Sequence, residues 1–119
     1  MNFLLVALGG GLGCVGRYSL SLLPSVGNFP LWTLLTNLLG AVVIGFVAGI
    51  SGSLGERWTL FWKTGFCGGF TTFSTFSLEA YQLFQGGKYF PAALYLLLSV
   101  GLCLLGVWAG QLLAAQTVK

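Results

Sequence analysis

Four long apolar stretches, separated only by short polar turns, decide what this chain can become. They run from about Phe3 to Leu23, Leu31 to Ile50, Trp58 to Phe84 and Tyr89 to Leu113. A bilayer core needs about 20 apolar residues per helix, and each stretch supplies that length. Between them lie Pro24 to Pro30 (with Gly27 and Asn28), SGSLGER (Ser51 to Arg57) and QGGK (Gln85 to Lys88). Gly, Pro and Asn clusters of this kind mark turns. The pattern predicts an all-α integral membrane protein of four transmembrane helices. The whole chain, residues 1–119, reads as one domain, with no linker and no internal repeat. Met1 to Leu8 lacks a basic leader and a small-residue cleavage site, so it reads as the start of the first helix.

Composition supports lipid as the solvent. The 119 residues are 56% hydrophobic and 6% charged, with five basic and two acidic side chains. A soluble domain carries about 25% charged residues. Arg17, Arg57, Lys63, Lys88 and Lys119 form no cluster, which excludes a nucleic-acid partner. There is no histidine, and Cys14, Cys67 and Cys103 lie far apart, so neither a zinc site nor a disulfide framework is indicated. No catalytic constellation is present, and the chain is not read as an enzyme.

Four crossings put both termini on one side. That side holds Arg57, Lys63 and Lys119; the other holds Lys88 and, from inside the first helix, Arg17. Lys and Arg counts set orientation, and these nearly balance. A chain free to insert both ways can form an antiparallel dimer. The pairs Gly9 and Gly13, Gly45 and Gly49, and Gly106 and Gly110 have the small-xxx-small spacing of helix contacts. Trp32, Trp58 and Trp62 lie near helix ends, where aromatic anchors belong.

Gly11, Gly13 and Gly16 make a GxGxxG, but no acidic residue follows about 20 positions on, so a dinucleotide site is rejected. Polar residues inside the spans are costly, and they carry the functional signal. Arg17 either snorkels to the headgroups or forms a basic vestibule. Asn37, deep in TLLTNLLG, offers an amide either to a neighbouring helix or to a ligand. In GFCGGFTTFSTFS (Gly65 to Ser77), Gly68 and Gly69 followed by Thr71 and Thr72 suggest a helix broken at membrane depth. Phe73 and Phe76 share a face; their rings either fill space or turn positive edges toward an anion. Tyr95 and Ser99 align hydroxyls along the fourth helix, in register with Cys103.

With GGGLGCVGRY, TLLTNLLG and GFCGGFTTFSTFS in this order and spacing, the chain resembles the Fluc (CrcB) fluoride channels along nearly its whole length. The resemblance implies passive, fluoride-selective export from the cytoplasm across the cell inner membrane, lowering fluoride toxicity. It also implies a dual-topology antiparallel homodimer with two pores. Asn37, Phe73 and Phe76 would then line the fluoride path with the hydroxyls of Thr72, Ser74, Tyr95 and Ser99. Arg17 and Glu79 would stand in the vestibules. A central sodium ion would be held by the backbone carbonyls of Gly68 and Thr71. The family often has serine where Cys103 stands, and a thiol donates more weakly. The competing reading is a small multidrug transporter. That family uses a glutamate in the first helix, whereas Glu79 lies in the third stretch.

Overall fold

The computed structural model describes residues 1–24, Gly27 and 29–117. Asn28, within the first expected turn, and Lys119, within the charge balance, lie outside the described residues. Among the described residues every regular element is helical. Helix α1 is Asn2–Ser21 and α2 is Leu31–Gly49. Two single-turn helices follow, α3 (Ser51–Leu54) and α4 (Glu56–Thr59). A π-helical segment occupies Leu60–Cys67 and passes directly into α5, Gly68–Phe70. Helix α6 is Phe73–Gln85, and α7 is Tyr89–Thr117.

Three of these helices, α1 at 20 residues, α2 at 19 and α7 at 29, are long and apolar enough to cross a membrane. The third apolar stretch differs from the continuous helix over 58–84 that hydropathy alone suggests. Helical hydrogen bonding stops after Phe70 and resumes at Phe73, so the stretch consists of two shorter pieces. The SGSLGER segment also departs from a plain loop, because α3 and α4 take up most of it. Only Gly55 separates them, with φ 94°, a left-handed conformation that glycine adopts without a Cβ penalty. Helix α7 runs four residues past the expected Leu113; Ala114, Ala115 and Gln116 are good helix formers and nothing there stops it. The turn after α6 closes as sequence punctuation suggests. Gly87 has φ 75°, and the Lys88 amide donates to the Leu83 carbonyl at 2.9 Å. That is the glycine-terminated helix ending which satisfies the last orphan carbonyls.

The helices pair through small residues. A Cβ on Gly13 of α1 would strike the Phe66 carbonyl and lie 2.7 Å from the Phe70 nitrogen. A Cβ on Gly110 of α7 would strike the Val42 carbonyl and lie 2.7 Å from the Phe46 nitrogen. Backbones at such separation gain dispersion contacts that larger residues would prevent, which is the main source of helix association in lipid. Gly9 meets Gly65 and Gly13 meets Phe70; Val42 meets Gly110 and Gly49 meets Ala114. In both pairs the residue numbers rise together. Helix α1 therefore runs parallel to the segment 56–70, and α2 runs parallel to α7. The Gln111 side chain adds a polar tie, donating Nε2–H to the Gly45 carbonyl at 2.9 Å.

Where α6 meets α7, Leu34, Phe76, Ala80, Leu83, Ala92 and Tyr95 form a buried cluster. Leu34 brings α2 into this cluster. The break at residues 71–72 thus stands where the α1 pair ends, against Gly40 midway along α2.

Candidate functional site

Ending a helix in apolar surroundings frees peptide groups that must find partners. Thr71 is extended at φ −85° and ψ 156°, and Thr72 at φ −148° and ψ 116°. Their β-branched side chains suit that conformation. The glycines ahead of them stay helical, with Gly68 at φ −62°. Gly69 serves packing, because a Cβ there would run into the Gly10 carbonyl. The interruption falls on the threonines, two to four residues past the glycines that flag it in the sequence.

Three side chains hold the break. Asn37 of α2 grips the Thr72 peptide from both ends: Oδ1 accepts from the Thr72 amide at 2.9 Å, and Nδ2 donates to the Thr72 carbonyl at 3.2 Å. This pair of hydrogen bonds fixes which amide atom is oxygen and which is nitrogen. Arg17 of α1 donates from Nε to the Gly69 carbonyl at 3.1 Å. The Thr71 hydroxyl donates to the Cys67 carbonyl at 2.7 Å, one turn back. Thr72 then starts α6 as its N-cap, with Oγ1 accepting from the Thr75 amide at 3.2 Å. Ser74 Oγ stands 3.4 Å from Thr72 Oγ1 on an exposed surface. Among the described residues no hydrogen-bond donor meets the carbonyls of Gly68, Phe70 or Thr71. Gly68 is exposed, and the space beyond its Cα is open.

A cavity of about 330 Å³ opens beside the break and brings Asn37, Thr71, Thr72, Phe73, Phe76, Ser99 and Cys103 together. Ser99 is 6% exposed, and its hydroxyl has no partner among the described residues. The second Nδ2–H of Asn37 is also left over after its bond to Thr72. The aromatic side is continuous. Phe73 and Phe76 have ring centroids 5.6 Å apart, and Phe76 and Tyr95 are 5.0 Å apart, tilted by 54°. Phe76 is 8% exposed and Phe73 79%. Tyr95 lies just behind the cavity, fully buried, and donates its hydroxyl to Glu79 Oε1 at 3.1 Å.

Two of the expected site residues line other cavities. Glu79 borders a larger space of about 380 Å³ that also touches Thr33, Gln82 and Lys88. Arg17 borders a small one of about 70 Å³, with Ser21, Thr33, Thr36, Thr72 and Thr75. Thr72 is common to this small space and the 330 Å³ cavity.

The central cavity has walls that the sequence reading did not single out. Gly40 and Cys67 both line it. Gly40 lies three residues after Asn37, and Cys67 four before Thr71, so helical spacing from either polar residue points to them. A Cβ on Gly40 would collide with the Thr71 methyl group, so the glycine makes room for the break.

The family described as "CrcB-like protein, Camphor Resistance (CrcB)" matches residues 4–111. A Coxiella burnetii protein named "Fluoride-specific ion channel FluC" is 42% identical, over 98% of this chain and 99% of its own length. A Geobacter sulfurreducens protein of the same name is 44% identical over 97% of this chain and 98% of its own length. One from Azobacteroides pseudotrichonymphae, likewise so named, is 47% identical over 81% of this chain and 82% of its own. With a family match covering 4–111 and relatives similar along nearly the full length, this chain belongs to the CrcB family.

Proposed function

We propose that this chain is a fluoride-selective channel that lets fluoride leave the cytoplasm passively across the inner membrane. The observation that carries the reading is the Ser99 hydroxyl, buried without a partner against a cavity that also holds Asn37 and two phenylalanines. Leaving such a group unsatisfied costs about 1 to 3 kcal/mol, so it is kept for a ligand or water. The cavity offers donors and ring edges and no carboxylate, which suits an anion. Fluoride gives up a tightly held hydration shell, and several weak donors in series replace it without trapping it. Larger halides bond the same donors more weakly and fit the narrow path less well. The names of the relatives favour this ion over others.

The finer architecture belongs to the same proposal. Four crossings follow if the pieces on either side of Thr71 and Thr72 together form the third span. The parallel α1 and α2–α7 pairings support this, because parallel neighbours need an intervening return across the membrane. The break then lies at membrane depth. A second copy of the chain, inserted in the opposite sense, covers the exposed face that carries Gly68 and Phe73. The carbonyls of Gly68 and Thr71 fit a hard monovalent cation, since both lack donors and Gly68 opens outward. Sodium held there by two carbonyls from each copy would neutralise oxygen dipoles that otherwise repel one another. Arg17 steadies the neighbouring Gly69 carbonyl.

Proteoliposomes loaded with fluoride test the function directly. With a potassium ionophore balancing charge, a fluoride electrode should record rapid efflux, and chloride-loaded vesicles should stay full. Equal release of both ions, or of neither, ends the proposal. Topology has its own test. A tag after the last residue should be reached from both sides of the membrane, about half of the copies from each, as the near-balanced Lys and Arg counts allow. Labelling from one side alone removes the antiparallel arrangement.

A further inference from the structure

We propose that Trp32 is a specificity-determining residue of this path, the wall that narrows its outer approach to a chamber with room for fluoride and too little for a larger halide. The inference rests on the channel reading and adds a checkpoint ahead of the central cavity. The three cavities form one chain. The space of about 380 Å³ and the chamber of about 70 Å³ share Ser21, Trp32 and Thr33, and the chamber meets the 330 Å³ cavity at Thr72. At the outer junction only Trp32 is a large side chain. Its position near the start of α2 reads as that of a membrane anchor, and Trp58 and Trp62 are exposed as anchors should be. Trp32 is instead half-buried, against two cavities. Its indole Nε1–H donates to the Pro24 carbonyl at 2.6 Å, which ties the ring to the chain just beyond α1 and fixes it as a wall.

The small chamber suits an anion that is shedding water. About 70 Å³ holds roughly two water molecules at ~30 Å³ each, so an ion cannot bring a full hydration shell inside. Replacement donors line the walls. Arg17 gives only Nε–H to the Gly69 carbonyl; among the described residues no acceptor meets the four N–H of its other two nitrogens. Thr33, Thr36, Thr72 and Thr75 add hydroxyls, and Thr36 is only 3% exposed. Ser21 adds no free donor, since its hydroxyl donates to the Tyr18 carbonyl. No carboxylate lines the chamber among the described residues, whereas Glu79 lines the outer space. Fluoride is close in size to the water it sheds and gains charge-assisted hydrogen bonds here. Chloride is larger, bonds the same donors more weakly and meets an indole held in place.

Efflux and indole emission test the wall separately. In proteoliposomes, wild-type fluoride efflux should change little when chloride replaces gluconate on both sides at equal ionic strength. Trp32→Ala removes the wall, so chloride enters the chamber and competes. The chloride concentration that halves its rate should lie at least about tenfold below the wild-type value, the scale on which a pocket's steric discrimination relaxes. Trp32→Phe loses the bond to Pro24 but keeps an aromatic wall, and should fall between the two. Each variant must first elute as the wild type does; Trp32→Leu, shorter but still apolar, replaces alanine if alanine does not fold. A folded alanine or leucine variant as indifferent to chloride as the wild type overturns the proposal. The second arm needs no conduction. In detergent, Trp58→Phe, Trp62→Phe and Trp108→Phe leave Trp32 as the single indole of the original four. Fluoride should shift its emission with saturation, and chloride at equal ionic strength should not. An equal response to both ions, or to neither, overturns the chamber. A saturable fluoride shift in a protein that passes no fluoride refutes only the channel reading.

Discussion

Asn37→Asp should abolish fluoride efflux from a protein that still folds. One half of the asparagine grip survives, since a carboxylate still accepts from the Thr72 amide. The other half inverts: where Nδ2 donated to the Thr72 carbonyl at 3.2 Å, an oxygen now faces an oxygen. Losing a partner at a buried acceptor costs about 1 to 3 kcal/mol, and a charged replacement adds repulsion. The carboxylate also stands in the cavity through which an anion is to pass, with no donor left to offer. Asn37→Ser separates the two effects, because it releases the Thr72 peptide without adding charge. Serine should lower efflux and loosen the break, seen as faster hydrogen exchange at the Thr72 amide. Aspartate should stop efflux while that amide stays protected. Wild-type efflux from a correctly folded Asn37→Asp protein would remove Asn37 from the path.

Phe73→Ile should lower efflux by more than about tenfold, the equivalent of ~1.4 kcal/mol in barrier height. At 79% exposure Phe73 contributes little packing within its own chain, so its loss cannot be explained by a damaged core. Isoleucine keeps the apolar bulk and removes the positive ring edge. Phe76→Ile should match it in efflux but also cost stability, because Phe76 is buried against Tyr95 and an aromatic pair is worth about 0.5 to 1.5 kcal/mol beyond area. Phe70 is the control with a different environment. It is buried and stacks on Phe66 at 5.5 Å, with planes 13° apart, away from the cavity. Phe70→Leu should therefore reduce stability with a milder effect on efflux. If Phe73→Ile conducts at the wild-type rate, aromatic edges play no part in this path.

The helices were legible because their signal is local. Runs of about 20 apolar residues, Gly87 in its turn and Pro30 ahead of α2 act over a few neighbours, and α1, α2 and α7 lie accordingly, while the third run is divided. The site was legible as a set of residue types but not as a geometry. Asn37 reads equally as a donor to a ligand and as a helix tie, and the structure has it gripping Thr72 with one N–H to spare. Arg17 reads as snorkelling or as a vestibule charge. Its bond to the Gly69 carbonyl depends on a partner 52 residues away, which no local pattern encodes. The break was flagged by Gly68 and Gly69 yet falls on Thr71 and Thr72, since Gly69 is claimed by the approach of α1 and Gly68 stays helical. Tyr95 and Ser99 share a face as their spacing requires, but only the packing of α6 gives Tyr95 to Glu79 and leaves Ser99 free.

The three side chains that hold the break have a consequence for how portable this segment is. Two of them, Arg17 and Asn37, are donated by α1 and α2 rather than by the segment they hold. The stretch 65–77 does not carry its own shape. Grafted into another membrane helix, it would meet no guanidinium for the Gly69 carbonyl and no amide for the Thr72 peptide. The cheapest remedy open to those groups in lipid is to bond one another, which restores an unbroken helix and erases the site. A graft that conducts would have to import the arginine and the asparagine at matching depth, together with a glycine opposite the Thr71 methyl.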